Sequence, residues 1–122
     1  MKKKILVIDD EPEIVSLLAT ELASHGYEVE SASDGMTGFE KARKLVPDII
    51  LLDVMMPGWS GFDTANKLNT HPQTYDIPII FMTAMGENST AGHYLGKSHF
   101  SYLFKPFRFN ELLTILTNVY GI

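Results

Sequence analysis

Short apolar runs, each bounded by polar or turn-forming residues, recur along the chain at Ile5–Ile8, Tyr27–Ala32, Ile49–Leu52, Ile77–Met82 and Phe100–Phe104. The stretches between them carry helical spacing. Ile14, Leu17, Leu18 and Leu22 form one apolar stripe, and Leu112, Leu113, Leu116 and Val119 form another. Phe39 with Ala42, and Phe62 with Ala65, mark two shorter helices, and Glu87–Lys97 fills the remaining helical slot. Local signals agree with these boundaries. Pro12 suits the first turn of the first helix, and Gly26 follows that helix where a left-handed residue commonly ends one. Ser60 with Asp63 three residues on reads as a capping box. Pro47 and Pro78 stand at strand starts, where a missing N–H is tolerated.

The pattern predicts five βα units. Ile49-Ile50-Leu51-Leu52 does not alternate in polarity, so its strand is expected to be covered on both faces. Right-handed crossovers then give a doubly wound parallel sheet between layers of helices, and ligands in such sheets collect at the carboxyl ends of the strands. The 122 residues suit one domain, 1–122, and a chain this long buries about two-thirds of its unfolded surface without staples. With no cysteine, disulfide frameworks, thiolate metal sites and thiol nucleophiles are excluded. No apolar run approaches membrane-spanning length. The basic start Met1-Lys2-Lys3-Lys4 leads into only four apolar residues before Asp9, so it does not read as a signal peptide. Net charge is −5 with no basic cluster, which argues against direct nucleic-acid binding and points to a cation site.

Four of the five apolar runs end in a reactive or charged residue: Asp9-Asp10, Asp53, Thr83 and Lys105. One such residue is the ordinary end of a strand. Four at the same rim make a site. Two carboxylates about 4 Å apart repel by about 4 kcal/mol at an effective dielectric of roughly 20, so protons or a cation must relieve three of them. Oxygen donors select Mg2+ or Ca2+, and a phosphate partner favours Mg2+. In that setting Asp53 is the carboxylate nucleophile, Lys105 a fixed positive charge on the opposite side of the phosphoryl group, and Thr83 a hydroxyl donor.

The same residues carry a resemblance. Ile5-Leu6-Val7-Ile8-Asp9-Asp10-Glu11, Asp48-Ile49-Ile50-Leu51-Leu52-Asp53-Val54-Met55-Met56-Pro57-Gly58-Trp59-Ser60-Gly61, Met82-Thr83-Ala84 and Tyr102-Leu103-Phe104-Lys105-Pro106-Phe107 resemble response-regulator receiver domains of two-component systems. The likeness runs nearly end to end, in matching order and spacing. It implies a flavodoxin-like (βα)5 fold and a cytoplasmic phosphorylation switch, charged at Asp53 by a histidine kinase or phosphotransfer protein. It further implies Mg2+ held directly by Asp10, mainly through water by Asp9, and by Asp53 and the backbone carbonyl of Met55. Thr83 and Tyr102 become the switch pair, and the Lys105-Pro106 bond is expected to be cis. The signal would leave through the segment Glu87–Lys97, the fifth strand and the last helix toward an output partner. A monomer or a weak phosphorylation-dependent dimer is expected. Glu11 reads as a solvated first-turn residue, and the four histidines show no metal spacing.

Two features are this chain's own. Met55 and Met85, two residues past Asp53 and Thr83, offer an attacking water no polar handle, so slow self-dephosphorylation is expected. Gly86, Gly92 and Gly96 crowd the segment before the fifth strand, and Ser98-His99-Phe100-Ser101 stands where the family usually carries Gly-Ala-Asp-Asp. A short or mobile helix that orders on phosphorylation is expected there. Two other functions share parts of the motif set. An aspartyl-phosphate phosphatase would want an acid at Met55, and a phosphorylation-independent binding module would not need the intact acids and Lys105. The last helix runs to Gly121-Ile122, so an output domain is not expected within these residues, and either a stand-alone regulator or a receiver cut from a longer protein is expected.

Overall fold

The computed structural model describes residues 2–84 and 100–122. Its elements are β1 (Lys4–Ile8), α1 (Pro12–Ser24), β2 (Glu28–Ala32), α2 (Gly35–Leu45), β3 (Ile49–Asp53), α3 (Gly61–Asn69), β4 (Ile79–Thr83), β5 (Phe100–Phe104) and α4 (Phe109–Thr114), which runs on into a π-helical turn, Ile115–Val119. All pairings are parallel and the strand order is β2-β1-β3-β4-β5, the flavodoxin-like order. The expectations for Met85, for Gly86, Gly92 and Gly96, for the helix over Glu87–Lys97, and for His93 and Ser98-His99 fall outside the described residues.

Strand alternation divides the core in two. Leu6, Ile8, Ile50, Leu52, Ile79 and Phe81 face α2 and α3, meeting Phe39, Ala42, Phe62, Ala65 and Leu68. Ile5, Val7, Ile49, Leu51, Ile80 and Met82 face α1 and α4, meeting Leu18, Leu22, Leu112 and Leu116. Every residue of β3 and β4 is therefore buried, as an unalternating apolar run requires. Among the described residues, no helix is long and apolar enough to cross a membrane.

The predicted punctuation holds. Pro12 opens α1, and Gly26 takes φ +91° just after it, a conformation a side chain would strain. Ser60 and Asp63 form the reciprocal capping box of α3. The Lys105-Pro106 bond is cis. Two apolar stripes differ from expectation. Leu17 is exposed, because α1 turns Leu18 and Leu22 to the sheet. Val119 is exposed as well, because the wider π turn rotates it off the α4 stripe. The Tyr120 N–H closes that turn on the Ile115 carbonyl, and the Tyr120 and Ser101 hydroxyls share a 2.7 Å hydrogen bond that ties the turn to β5.

Candidate functional site

Parallel strands bring their carboxyl ends to one edge, and three backbone bonds just past those ends fix what stands there. The Asp9 N–H donates to the Ala32 carbonyl at 3.1 Å, Val54 N–H to Met82 at 3.0 Å, and Lys105 N–H to Thr83 at 2.9 Å. Asp9 and Asp53 thus sit at the ends of β1 and β3, on either side of the point where strand order reverses. Gly61 lets the loop after β3 close tightly. A Cβ there would lie 2.4 Å from the Asp53 carbonyl oxygen.

Asp9, Asp10 and Asp53 each offer a carboxylate oxygen, all within 4.8 Å of one another. Lys105 enters among them. Its Nζ is 3.1 Å from Asp9 Oδ2 and 3.5 Å from Asp53 Oδ1. It is also 3.1 Å from Glu11 Oε1. Glu11 is therefore not the merely solvated residue expected from its place in the first turn. Its side chain is 59% exposed, yet it reaches across to the loop after β5, and its N–H donates to Asp9 Oδ1 at 2.9 Å. An acid two residues past Asp9, on the same rim as Lys105, was the available signal.

Asp53 is only 4% exposed. Burial first, and then the neighbouring Asp9 carboxylate, push its pKa up to about 6, against the opposing pull of Lys105 and the Met55 N–H. Burial alone would depress the Lys105 ammonium. Hydrogen bonds to Asp9 and Glu11 and the charges of Asp53 and Asp9 outweigh it and hold the lysine above its ordinary value. Asp9, Asp10, Asp53 and Glu11 gather around the single Lys105 ammonium, so the cluster carries more acidic than basic groups. Hard oxygen donors with that excess fit a Mg2+-like ion. A cavity of about 260 Å3 opens beside Asp9 and Asp10, lined further by Ser16 and Ser31.

Thr83 is buried at the end of β4. Tyr102 is half-buried on β5, its ring stacked on Phe81 at 5.3 Å. Met55 places its N–H 3.4 Å from Asp53 Oδ1 and leaves its side chain 62% exposed. Of the histidines, His25 packs on Phe109 and His71 edge-on against Phe39, away from the acids. A buried carboxylate held beside an ammonium and two further acids can act as a nucleophile toward an electrophile that brings its own negative charge, provided cations absorb it.

The response regulator receiver domain family model matches residues 5–117. The DNA-binding dual master transcriptional regulator RpaA of Synechocystis is 38% identical over 110 residues, 90% of this chain and 46% of that protein. Chemotaxis protein CheY4 of Vibrio cholerae superposes with a TM-score of 0.86 at 34% identity, covering 98% of this chain and 99% of that one. The receiver domain of sensor histidine kinase PA1611 from Pseudomonas aeruginosa, solved with a magnesium ion coordinated in its active-site cleft, superposes with a TM-score of 0.88 at 28% identity, covering 100% of both chains. The chain spans about half or less of the length of the curated relatives it matches.

Proposed function

We propose that this chain, which belongs to the response-regulator receiver family, is a phosphorylation-dependent signalling switch with Asp53 as phosphoacceptor. One observation carries the reading: the Asp53 carboxylate is buried within 4.8 Å of carboxylate oxygens of Asp9 and Asp10, and within 3.5 Å of the Lys105 ammonium. The donor is a histidine kinase or a phosphotransfer protein. An Asp53 oxygen attacks the phosphorus of a phosphohistidine, the P–N bond breaks, and the released imidazole takes up a proton. Mg2+, when bound, supplies positive charge to the phosphoryl oxygens. Asp10 would hold it directly, Asp9 mainly through water, and Asp53 and the Met55 carbonyl would complete the protein ligands. Lys105 leaves its contacts with Asp9 and Glu11 to pair with the phosphoryl group. Thr83 turns its hydroxyl toward the new oxygens, and the Tyr102 ring turns inward behind it.

Residues 1–122 are read as one receiver domain working in the cytoplasm, as a monomer or a weak phosphorylation-dependent dimer. Its chemistry is Mg2+-dependent self-phosphorylation and self-dephosphorylation, and it contacts an output partner rather than nucleic acid. Met55, standing where an aspartyl-phosphate phosphatase would carry an acid, supports a switch over a turnover enzyme. The test adds Mg2+ and then acetyl phosphate while Trp59 fluorescence and intact mass are followed. The wild type is expected to respond and to gain one phosphoryl group, whereas Asp53→Asn gains none. Equal labelling of Asp53→Asn would refute the assignment.

A further inference from the structure

Alternation along β5 puts Phe100, Tyr102 and Phe104 on one face of the sheet. The register pairs Phe81 with Tyr102 and Thr83 with Phe104. Ring centres run in sequence from the core outward: Phe62 to Phe81 at 5.1 Å, Phe81 to Tyr102 at 5.3 Å, and Tyr102 to Phe104 at 6.4 Å. The last pair is within 11° of parallel. Tyr102 therefore lies between a buried ring and an outer one. Phe104 is 46% exposed, so core packing does not account for an aromatic side chain at this place. The backbone beside it is pinned, because the next N–H, that of Lys105, donates to the Thr83 carbonyl at 2.9 Å.

We infer that Phe104 is a positioning residue, whose ring, stacked on Tyr102 and opposite Thr83, holds Tyr102 in its resting arrangement and sets how readily it turns. The inference rests on the reading of Thr83 and Tyr102 as a switch pair. When the Tyr102 ring swings toward Thr83, Phe81 lies inward and can stay in contact. Phe104 stands beside Thr83 in the register, so a Tyr102 ring moving toward Thr83 must break its parallel overlap with the Phe104 ring. An aromatic pair of this kind changes an equilibrium roughly two- to tenfold. Phe104 thus acts as a threshold: it keeps the ring in place until a filled Asp53 pocket draws Thr83 away.

Titrating the whole chain with beryllofluoride and Mg2+, with the Tyr102 ring resonances followed by NMR, tests this. Phe104→Ala and Phe104→Leu are expected to reach half-conversion at a concentration two- to tenfold lower than the wild type. Phe104→Tyr, which keeps a ring to stack, is expected to keep the wild-type midpoint. Using both Ala and Leu keeps the test decisive if one variant folds poorly. Wild-type midpoints in both ringless variants would overturn the role of Phe104 alone. A wild type whose Tyr102 ignores beryllofluoride, or an Asp53→Asn variant that responds like it, would overturn the switch reading and this inference with it.

Discussion

Glu11 and Lys105 meet at 3.1 Å, joining the loop after β1 to the loop after β5 across the mouth of the acidic cluster. Glu11 is exposed, so the pair adds little stability, about 0.5–1 kcal/mol at most. Its consequence is competition, because an ammonium held by Glu11 and Asp9 must let go to reach a phosphoryl group on Asp53. Glu11→Gln is expected to leave denaturant stability within about 1 kcal/mol of wild type and to speed labelling by acetyl phosphate about two- to fivefold. A slower rate would mean that Glu11 delivers Lys105 rather than detaining it.

The raised pKa of Asp53 makes stability depend on pH in a direction opposite to that of an ordinary paired carboxylate. In the folded state the group titrates near 6, against an ordinary value of 3.8, so the native protein binds the extra proton more tightly between those values. Stability then falls as pH rises from about 4 to about 6, by about 3 kcal/mol at most, and stays at the lower level above that window. Asp53→Asn removes the buried charge, and it is expected to be more stable than wild type at neutral pH without Mg2+ and nearly equal to it near pH 4. Urea unfolding of both proteins across this range isolates the term from other carboxylates. Parallel stability curves would defeat the electrostatic account of the site. Saturating Mg2+ is expected to abolish most of the difference by stabilising the ionised carboxylate.

Much of this site could be read before any coordinates, and the reason is topological. Parallel strands deliver their carboxyl ends to one rim, so Asp9, Asp53, Thr83 and Lys105 converge wherever the apolar runs are placed correctly. Glu11 escaped because its partner is 94 residues away and its side chain is long enough to face either solvent or Lys105. The Tyr102–Phe104 stack escaped because it depends on rotamers, which alternation along a strand does not set. Val119 was misplaced because one π turn shifts the helical phase within five residues, too short a stretch to leave a period. Leu17 continued a stripe whose neighbours Leu18 and Leu22 already filled the contact with the sheet.

Lys105 is the counterweight to the three acids, and its removal separates structural charge balance from chemistry. Lys105→Met keeps the chain's bulk and leaves Asp9 and Asp53 buried without a cation. A loss of about 3 kcal/mol at neutral pH without metal is expected, since taking one partner from a buried pair strands the other charge. Mg2+ is expected to restore most of that loss, while labelling at Asp53 stays far below wild type. Thermal unfolding with and without Mg2+ measures the first effect, and phosphoryl incorporation the second. A variant as stable as wild type without metal would show that solvent already screens the cluster.

Gly61 tests whether the backbone around Asp53, and not only its charge, is built for the site. Its N–H donates to the Val54 carbonyl at 2.9 Å, and an added Cβ would lie 2.4 Å from the Asp53 carbonyl oxygen and 2.8 Å from the Val54 Cα. Both are backbone atoms, so no side chain can swing aside to make room. Gly61→Ala must push α3 away from the end of β3 or shift Asp53 itself, at about 1–3 kcal/mol. If the strain falls on the helix, stability drops and Mg2+ affinity holds. The short backbone path from Gly61 to Asp53 favours the other outcome, in which Mg2+ affinity, followed by Trp59 fluorescence, weakens together with stability. Wild-type stability in Gly61→Ala would show that the loop after β3 is slack enough to absorb a methyl group, and the tight closure described for it would be wrong.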